Sequence, residues 1–214
     1  MKKLPSTLPN IFLSLTVICL TAGVALSAAN KYTENAIAAS KVAVFQNAIR
    51  QVTPEFDNNP VAEKYRIAVS EGDSLTVFPA KKGDKFVGSA VESFSKNGFS
   101  GVIRIMAGFD AEGKLFNYTV LEHNETPGLG SKMENWFRED KNQQTIIGYD
   151  MKQGVIKLVK DGGSIDAITA ATISSRAFIE AINMAYTAYS ANDATTGATT
   201  TTEKESPQTE NNDK

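Results

Sequence analysis

The distribution of apolar and polar residues divides the chain into three unlike parts. Between Lys3 and Lys31 there is no charged residue, and the apolar run 11–29, IFLSLTVICLTAGVALSAA, matches the ~20 residues that cross a hydrocarbon core. Residues 191–214 contain no Leu, Ile, Val, Met or aromatic residue, so burial cannot offset the entropy lost on ordering them. We therefore predict an N-terminus and transmembrane anchor over 1–30, a stalk helix over 31–55, one exported domain over 56–190 and a disordered polar tail over 191–214.

Two lysines set the expected orientation of the apolar segment. Lys2 and Lys3 precede it, and positive charge favours the cytoplasmic side of a membrane. The N-terminus is then cytoplasmic, and the domain lies on the periplasmic or outer face of a bacterial plasma (inner) membrane. The alternative is a cleaved signal peptide ending at Ser27-Ala28-Ala29, although the run exceeds the ~7–15 apolar residues of a usual signal peptide. Cys19 is interpreted as a small apolar residue of this segment.

Helical periodicity occurs at both ends of the middle part. The first predicted helix spans 32–53 and ends before Pro54; few breakers separate it from the apolar segment, so it should continue outward and pack on the domain. The second spans 173–190 and is amphipathic. Its polar stripe consists of Arg176, Glu180, Asn183, Thr187 and Ser190. Its apolar side consists of Phe178, Ile182, Ala185 and Tyr189.

Short strand-like runs lie between these helices, at 65–69, 75–78, 85–94, 101–109, 115–121 and 154–160. The runs 101–109 and 115–121 alternate apolar with polar residues and flank the turn 110–113, which predicts an antiparallel hairpin. One face of the first strand should carry Ile103, Ile105, Ala107 and Phe109, and one side of the second Phe116, Tyr118 and Val120. Antiparallel strands with flanking helices predict an α+β fold.

Composition narrows the possible functions of this domain. Lys and Arg total 22 against 24 Asp and Glu, and this near balance argues against nucleic acid as a partner, since phosphate backbones require a basic excess. The single Cys excludes an internal disulfide framework and a Cys-based metal site. The single His makes a His-cluster metal site or a His-dependent triad a poor explanation. Any chemistry that this domain performs must therefore depend on something other than a Cys-based or His-cluster site.

Hydroxyl side chains crowd the predicted start of the last helix, in the segment 166–176, DAITAATISSR. Thr169, Thr172, Ser174 and Ser175 fall within seven residues. Free backbone N–H groups and the positive end of the helix dipole meet at such a start, which favours a phosphate group. A plain N-cap explains the same residues. Residue types alone leave both interpretations open.

A second segment, 122–132, EHNETPGLGSK, follows the predicted hairpin. Pro127, Gly128 and Gly130 shape an irregular loop whose backbone can approach a ligand closely. Ser131 or a neighbour could cap a short helix that carries Met133, Trp136 and Phe137. A purely structural loop is the competing interpretation, and a lone His123 is more often a hydrogen-bonded loop residue than a catalyst.

Together the two segments resemble the FMN-binding domain of the G subunit of Rnf-type electron transport complexes, a family shared with the C subunit of the sodium-translocating NADH:quinone reductase. In that family the motif Asp-x-x-(Ser/Thr)-Gly-Ala-Thr-x-(Ser/Thr) carries FMN through a phosphoester to the Thr hydroxyl. The loop LEHNETPGLGSK (121–132) is similar to a second family signature, and 108–123 to the family's hairpin. The loop and the short chain favour the G subunit. Asp166, Thr169, Ala171, Thr172 and Ser174 stand at the motif positions.

The resemblance implies covalent FMN on Thr172. Further cofactor-binding residues implied near the helix start are Asp166, Thr169, Ala171, Ser174 and Ser175, and those implied in the loop are Glu125, Thr126, Gly128, Leu129 and Gly130. The backbone of 126–130 would lie against the isoalloxazine ring. One position departs from the motif: Ala170 replaces the family Gly. If that position requires positive φ, Ala is strained there by ~1 kcal/mol or more.

The function implied by the resemblance is that of a membrane-anchored flavoprotein electron carrier in an ion-translocating ferredoxin:NAD⁺ oxidoreductase complex. Other membrane subunits and a flavin transferase are the implied partners. The redox chemistry would be the flavin's, and no complete active site lies on this chain. Two further alternatives are a non-catalytic exported binding module on a membrane stalk and a stand-alone FMN electron-transfer protein.

Overall fold

The structure is a computed structural model that describes residues 7–195 except residue 71. The described residues form two compact units, which divide between Phe45 and Gln46. The boundary falls within the residues of helix α1 (Leu8–Val52). The predicted tail from residue 196 onward lies outside the described residues.

Helix α1 contributes the apolar N-terminal unit. Its portion Leu8–Tyr32 has a mean hydropathy of 2.2 and, by length and composition, is the one described segment able to cross a membrane. Its large side chains, Phe12 and Leu13 among them, are exposed, as lipid-facing residues of a lone helix would be. A signal sequence near the N-terminus meets the same criterion, so both predictions for this segment stand.

Five antiparallel strands form a single meander in the second unit, which confirms the predicted α+β fold. The strands are β1 (Tyr65–Ser70), β2 (Asp73–Lys82), β3 (Lys85–Gly98), β4 (Gly101–Asp110) and β5 (Leu115–Glu122), in the spatial order β1-β2-β3-β4-β5. The predicted hairpin is the β4–β5 pair. The four described connections between neighbouring strands are therefore short.

Two helices of the second unit follow the sheet in the chain. The short helix α2 (Met133–Trp136) comes soon after β5, and the long helix α3 (Thr172–Thr195) packs across one face of the sheet. The predicted inward residues of β4, from Ile103 to Phe109, are all buried there, and the apolar side of α3 is buried against them. Ser93 Oγ on β3 donates a hydrogen bond to the Ala181 carbonyl at 2.8 Å. Phe137 stacks on Phe178 with ring centroids 4.8 Å apart, so the region after β5 also contributes to this core.

The last turns of α1 pack against the opposite face of the sheet, as predicted. Ala48, Ile49 and Val52 are buried. A Cβ at Gly108 of β4 would overlap the Val52 carbonyl, so glycine permits the close approach of helix and strand. The Asn117 side-chain amide donates a hydrogen bond to the Gln51 carbonyl at 2.8 Å.

The predicted facing of β5 is partly wrong. Tyr118 is buried, but Phe116 is 42% exposed. Phe109 pairs with Leu115 whereas Gly108 pairs with Asn117, so Phe116 is the extra residue of a β-bulge. The bulge reverses the alternation there, and Leu115 takes the inward position instead.

The predicted strand over 154–160 is also wrong. Only an isolated bridge joins Leu158 to Ile165, and a 3₁₀ turn (Val159–Asp161) follows. The N–H and carbonyl of Ile156 are both hydrogen-bonded by the Asn183 side chain of α3, at 2.9 Å each. The segment alternates like a strand because Ile156 and Leu158 face the core, yet its backbone partners come from a helix.

The boundaries of the last helix differ modestly from those predicted. Helix α3 begins at Thr172 and extends to Thr195, five residues beyond Ser190. Ala191 and Ala194 are strong helix formers, which explains an extension into a region otherwise poor in apolar residues.

Candidate functional site

The two hydroxyl-rich and glycine-rich segments meet in the structure. Glu125, from the loop after β5, is only 4% exposed. Its Oε2 accepts a hydrogen bond from Ser174 Oγ in the first turn of α3, at 2.5 Å. Its Oε1 accepts a hydrogen bond from the Ser100 backbone N–H in the β3–β4 turn, at 3.0 Å. One buried carboxylate therefore joins both segments to the tip of the sheet.

Two glycines make room for this carboxylate. A Cβ at Gly130 would lie 2.5 Å from Ser174 Oγ and 2.6 Å from Glu125 Oε2. A Cβ at Gly98 would lie 2.8 Å from Glu125 Oε1. These separations are shorter than real Cβ contacts, so a Cβ at Gly130 would displace the Glu125 and Ser174 side chains. At Gly98 a Cβ would in addition overlap the Gly101 carbonyl oxygen, which restricts that position to glycine.

The turn into α3 is built on a left-handed residue. Ala170 has φ 61°, so the strain expected for a residue other than glycine is present. The Ala171 N–H donates to the Ile168 carbonyl at 3.0 Å. Ser175 Oγ accepts from the Ile168 N–H and donates to the Ala171 carbonyl, each at 2.9 Å. Ser175 is fully buried, and its hydroxyl holds the backbone of this turn in place.

Thr172 is the first residue of α3 and is partly exposed. Its Oγ1 accepts a hydrogen bond from Lys160 Nζ at 3.1 Å. As at any helix start, the first N–H groups, those of Thr172 and Ile173 included, have no acceptor within the helix. Thr169 is exposed nearby in sequence, whereas Ala171 and Ser174 are buried. A hydroxyl, a cation and a helix N-terminus therefore come together at the surface.

Lys160 and the ion pair beside it are site features that the sequence reasoning missed. Asp161 accepts hydrogen bonds from Arg176 Nε and Nη2, the shortest at 2.7 Å. This pairing holds the pKa of the Asp161 carboxyl below its ordinary value and raises the pKa of the Arg176 guanidinium. The available signal was the Asp-Gly-Gly sequence at 161–163, which is typical of a turn rather than a strand.

The loop that follows Glu125 presents its residues to solvent. Thr126, Gly128 and Leu129 are exposed, whereas Gly130 is buried. The Thr126 carbonyl accepts hydrogen bonds from the Leu129 and Ser131 N–H groups. Ser131 Oγ accepts from the Gly128 N–H at 2.9 Å. Ser131 therefore closes the loop, whereas the predicted role of capping α2 is not seen, since the residue before that helix makes no side-chain cap hydrogen bond.

His123 and Asp166 anchor the two segments to neighbouring parts of the domain through hydrogen bonds. His123 Nδ1 accepts a hydrogen bond from the Glu125 N–H at 3.1 Å, and its Nε2 lies 3.1 Å from Glu134 Oε1. The Asp166 N–H donates to the Gln143 carbonyl at 2.7 Å, and its carbonyl accepts from Trp136 Nε1 at 3.0 Å. These are hydrogen bonds typical of loop anchoring.

A groove of about 700 Å³ lies between α3 and the segment 155–161. Its lining includes Ile173, Arg176 and Glu180 from α3 and Val155 from the segment before the 3₁₀ turn. Ile173 and Val155 are at least half exposed. The volume falls within the ~300–1,000 Å³ of small-molecule sites.

Comparison with known proteins identifies the family. A model of the FMN-binding domain matches residues 98–187, which include both segments. The G subunit of the ion-translocating oxidoreductase complex of Yersinia pestis is 35% identical over 165 residues, covering 73% of this chain and 78% of the relative. The chain belongs to this family of G subunits.

A second relative extends the similarity over more of the chain. The G subunit of the same kind of complex from Shewanella loihica is 30% identical over 193 residues, covering 86% of this chain and 89% of that protein. The resemblance to the G subunit is thus confirmed. Among solved structures, the C subunit of the Na⁺-translocating NADH-quinone reductase of Parabacteroides distasonis is 16% identical, with a TM-score of 0.45, over 66% of this chain and 78% of that one.

Proposed function

We propose that this chain is the electron-carrying G subunit of an ion-translocating ferredoxin:NAD⁺ oxidoreductase complex, with FMN attached through a phosphoester to Thr172. Family membership supports the complex and the FMN-binding domain supports the flavin. The observation that carries the attachment site is the placement of the Thr172 hydroxyl on the first turn of α3, 3.1 Å from the Lys160 ammonium.

The residues around Thr172 fit a phosphate group. Thr172 is accessible, and the N–H groups of the first helical turn and the Lys160 ammonium all favour an anion there. The nearby Glu125 carboxylate is buried and accepts hydrogen bonds from Ser174 and Ser100, so both of its oxygens already have donors within the protein. The exposed loop residues 126–129 follow Glu125 directly in the chain and are candidates to contact the isoalloxazine ring.

The chain's own residues would hold the flavin and orient it, while the flavin, when bound, would supply reversible electron transfer. In this proposal Thr172 tethers it, Asp166 and Ser175 shape the turn through their hydrogen bonds, and Thr169 and Ala171 border the attachment point. Ser174 and Glu125 fix the position of the loop Thr126–Gly130, in which Gly128 and Leu129 are exposed and accessible to the ring edge.

The domain organisation follows from the same proposal. Residues 1–30 would anchor the chain in the plasma membrane with a cytoplasmic N-terminus, 31–55 would form a stalk, 56–190 the domain on the outer face, and 191–214 a polar tail. Other membrane subunits would be its partners, and a flavin transferase would attach the FMN. The anchor is supported by the length and hydropathy of Leu8–Tyr32.

Flavin attachment can be tested on denatured protein. Chain produced with a flavin transferase should retain flavin fluorescence on the polypeptide after denaturing electrophoresis. Thr172→Val should abolish this fluorescence, whereas Thr187→Val, which removes an exposed hydroxyl farther along α3 and outside the motif, should retain it. Fluorescence that survives Thr172→Val would overturn the assignment of Thr172, and its absence from the unaltered chain would overturn covalent attachment.

Orientation and assembly need separate experiments. In a Cys19→Ser chain, a cysteine placed at the exposed Lys152 should react with a membrane-impermeant maleimide added to intact spheroplasts. Labelling only after lysis would contradict the outward orientation. Purification of the tagged chain from its native membrane should bring other subunits with it, and recovery of the chain alone would favour a stand-alone carrier.

A further inference from the structure

Two neighbouring residues of the 3₁₀ turn contact α3 one helical turn apart. Lys160 Nζ donates to Thr172 Oγ1 at 3.1 Å. Asp161 binds the Arg176 guanidinium through both of its oxygens. Since residues i and i+4 lie on one face of a helix, the ion pair holds the turn against α3 at the position where Lys160 reaches Thr172.

The backbone of the turn fixes where Lys160 lies. The Val159 N–H donates to the Ile165 carbonyl at 2.8 Å, and the Gly163 N–H donates to the Leu158 carbonyl at 2.9 Å. A Cβ at Gly163 would overlap the Lys157 carbonyl, so the chain passes too close to itself there for any other residue. The compact turn fixes the backbone of Lys160, and the Lys160 side chain extends from it to the start of α3.

The cations near Thr172 are not equivalent. Arg176 is already neutralised by Asp161, with both side chains engaged in the same pair. Lys157 lines the groove between α3 and the segment 155–161. Lys160 instead makes its one side-chain hydrogen bond among the described residues to the neutral hydroxyl of Thr172, and it acts on the Asp161 carboxylate only through its charge, lowering the pKa of that group less than Arg176 does. An ammonium gains little from such a partner, whereas a hydrogen bond to an anion is roughly twice as strong.

We propose that Lys160 is the phosphate-binding cation of this site, whose ammonium neutralises the single negative charge of the phosphodiester formed at Thr172. This inference rests on the proposed function and adds a residue outside both family segments. The Asp161–Arg176 pair then serves as a positioning element, because it holds the turn that carries Lys160 and removes the competing guanidinium from the phosphate.

A thermodynamic cycle between Lys160 and flavin attachment tests this role. Full-length chain in detergent is prepared with and without flavin transferase, as the unaltered protein and as Lys160→Gln, and the urea midpoint of unfolding is measured for all four. Attachment should raise the midpoint of the unaltered protein more than that of Lys160→Gln, because only the former pairs the new charge. The difference should shrink in 1 M salt. Lys160→Arg should preserve it.

A spectroscopic signature separates charge pairing from a general structural effect. The ³¹P resonance of the attached flavin should shift between the unaltered protein and Lys160→Gln and stay unchanged in Lys157→Gln, which removes a lysine three residues away. Equal midpoint increments and equal ³¹P shifts in Lys160→Gln and Lys157→Gln would overturn the role of Lys160 while leaving attachment at Thr172 intact. Absence of flavin from the unaltered chain would instead overturn the proposed function.

Discussion

Glu125 Oε2 accepts a hydrogen bond from Ser174 Oγ at 2.5 Å, between residues 49 positions apart in the sequence. The contact joins the irregular loop after β5 to the first turn of α3, and both side chains are buried from solvent. A buried carboxylate requires such donors, because an unpaired charge in the interior is very costly. The two family signatures are thus one structural unit.

Removal of either partner of this hydrogen bond should destabilise the domain. Ser174→Ala leaves one Glu125 oxygen without its hydroxyl donor. Glu125→Gln replaces one of the two accepting oxygens with an amide N–H₂ that cannot accept. Each change should cost about 1–3 kcal/mol in the free energy of unfolding. Urea unfolding of the full chain in detergent measures this. Glu112→Gln, at an exposed carboxylate, is the control and should change the free energy by less than about 0.5 kcal/mol. Equal effects of Ser174→Ala and the control would contradict the importance of the contact.

The left-handed Ala170 predicts a stabilising substitution. Left-handed φ costs an L-residue about 1–2 kcal/mol, and the extra freedom of glycine in the unfolded chain offsets about 0.4–1 kcal/mol of the relief. Ala170→Gly should therefore raise the free energy of unfolding by up to about 1 kcal/mol, measured by urea unfolding. Gly128→Ala is the reverse control and should lower the free energy of unfolding. Gly128 has φ 76°, and because its Cβ would meet open space, the loss would come from backbone strain alone. A lower stability in Ala170→Gly would show that the turn carries no strain.

Steric restriction at Gly130 can be separated from backbone strain. Gly130 is not one of the described residues with positive φ, so its backbone conformation is open to any residue. A Cβ there would nevertheless lie 2.5 Å from Ser174 Oγ. Gly130→Ala should cost about 1–3 kcal/mol in the free energy of unfolding through overpacking. Combined with Ser174→Ala, which removes the nearest of the clashing atoms but leaves Glu125 Oε2 at 2.6 Å, the loss should be smaller than the sum of the two single losses. Strict additivity in this double-mutant cycle would contradict the packing explanation.

Regular elements were better predicted from the sequence than their contacts were. The β4–β5 hairpin and α3 follow from period-2 and period-3.6 patterns, which local residues determine. The bulge at Phe116 did not follow, because an extra residue in one strand is defined only by its pairing with the other. The segment 154–160 alternates because it is half-buried, and Asn183 supplies its backbone partners. No local signal reports such a partner.

The candidate site shows the same division. The sequence singles out Thr172 and the loop 126–130 as candidates because hydroxyls and glycines cluster there and match a family motif. Lys160 was hidden in a run that resembled a strand, and its importance depends on a contact with Thr172 across the turn. The burial of Glu125 was equally hidden, since a charged residue in a polar loop usually remains exposed. Long-range contacts of single polar side chains are therefore what the structure adds.

The Asp161–Arg176 pair predicts an acid-dependent contribution to stability. Because the pKa of Asp161 is lowered in the folded state by Arg176, the pair stabilises the fold at pH values above the unfolded pKa of the carboxyl, and this stabilisation is lost as pH falls through the lower folded value. Thermal unfolding of the unaltered chain and of Asp161→Asn should therefore differ near neutral pH and converge in acid. In an Arg176→Gln background, Asp161→Asn should change the pH profile much less, since Arg176 is the main cation that lowers the pKa of Asp161 and only the smaller effect of Lys160 remains. A gap between the two chains that widens in acid would contradict the assigned direction of the pKa shift.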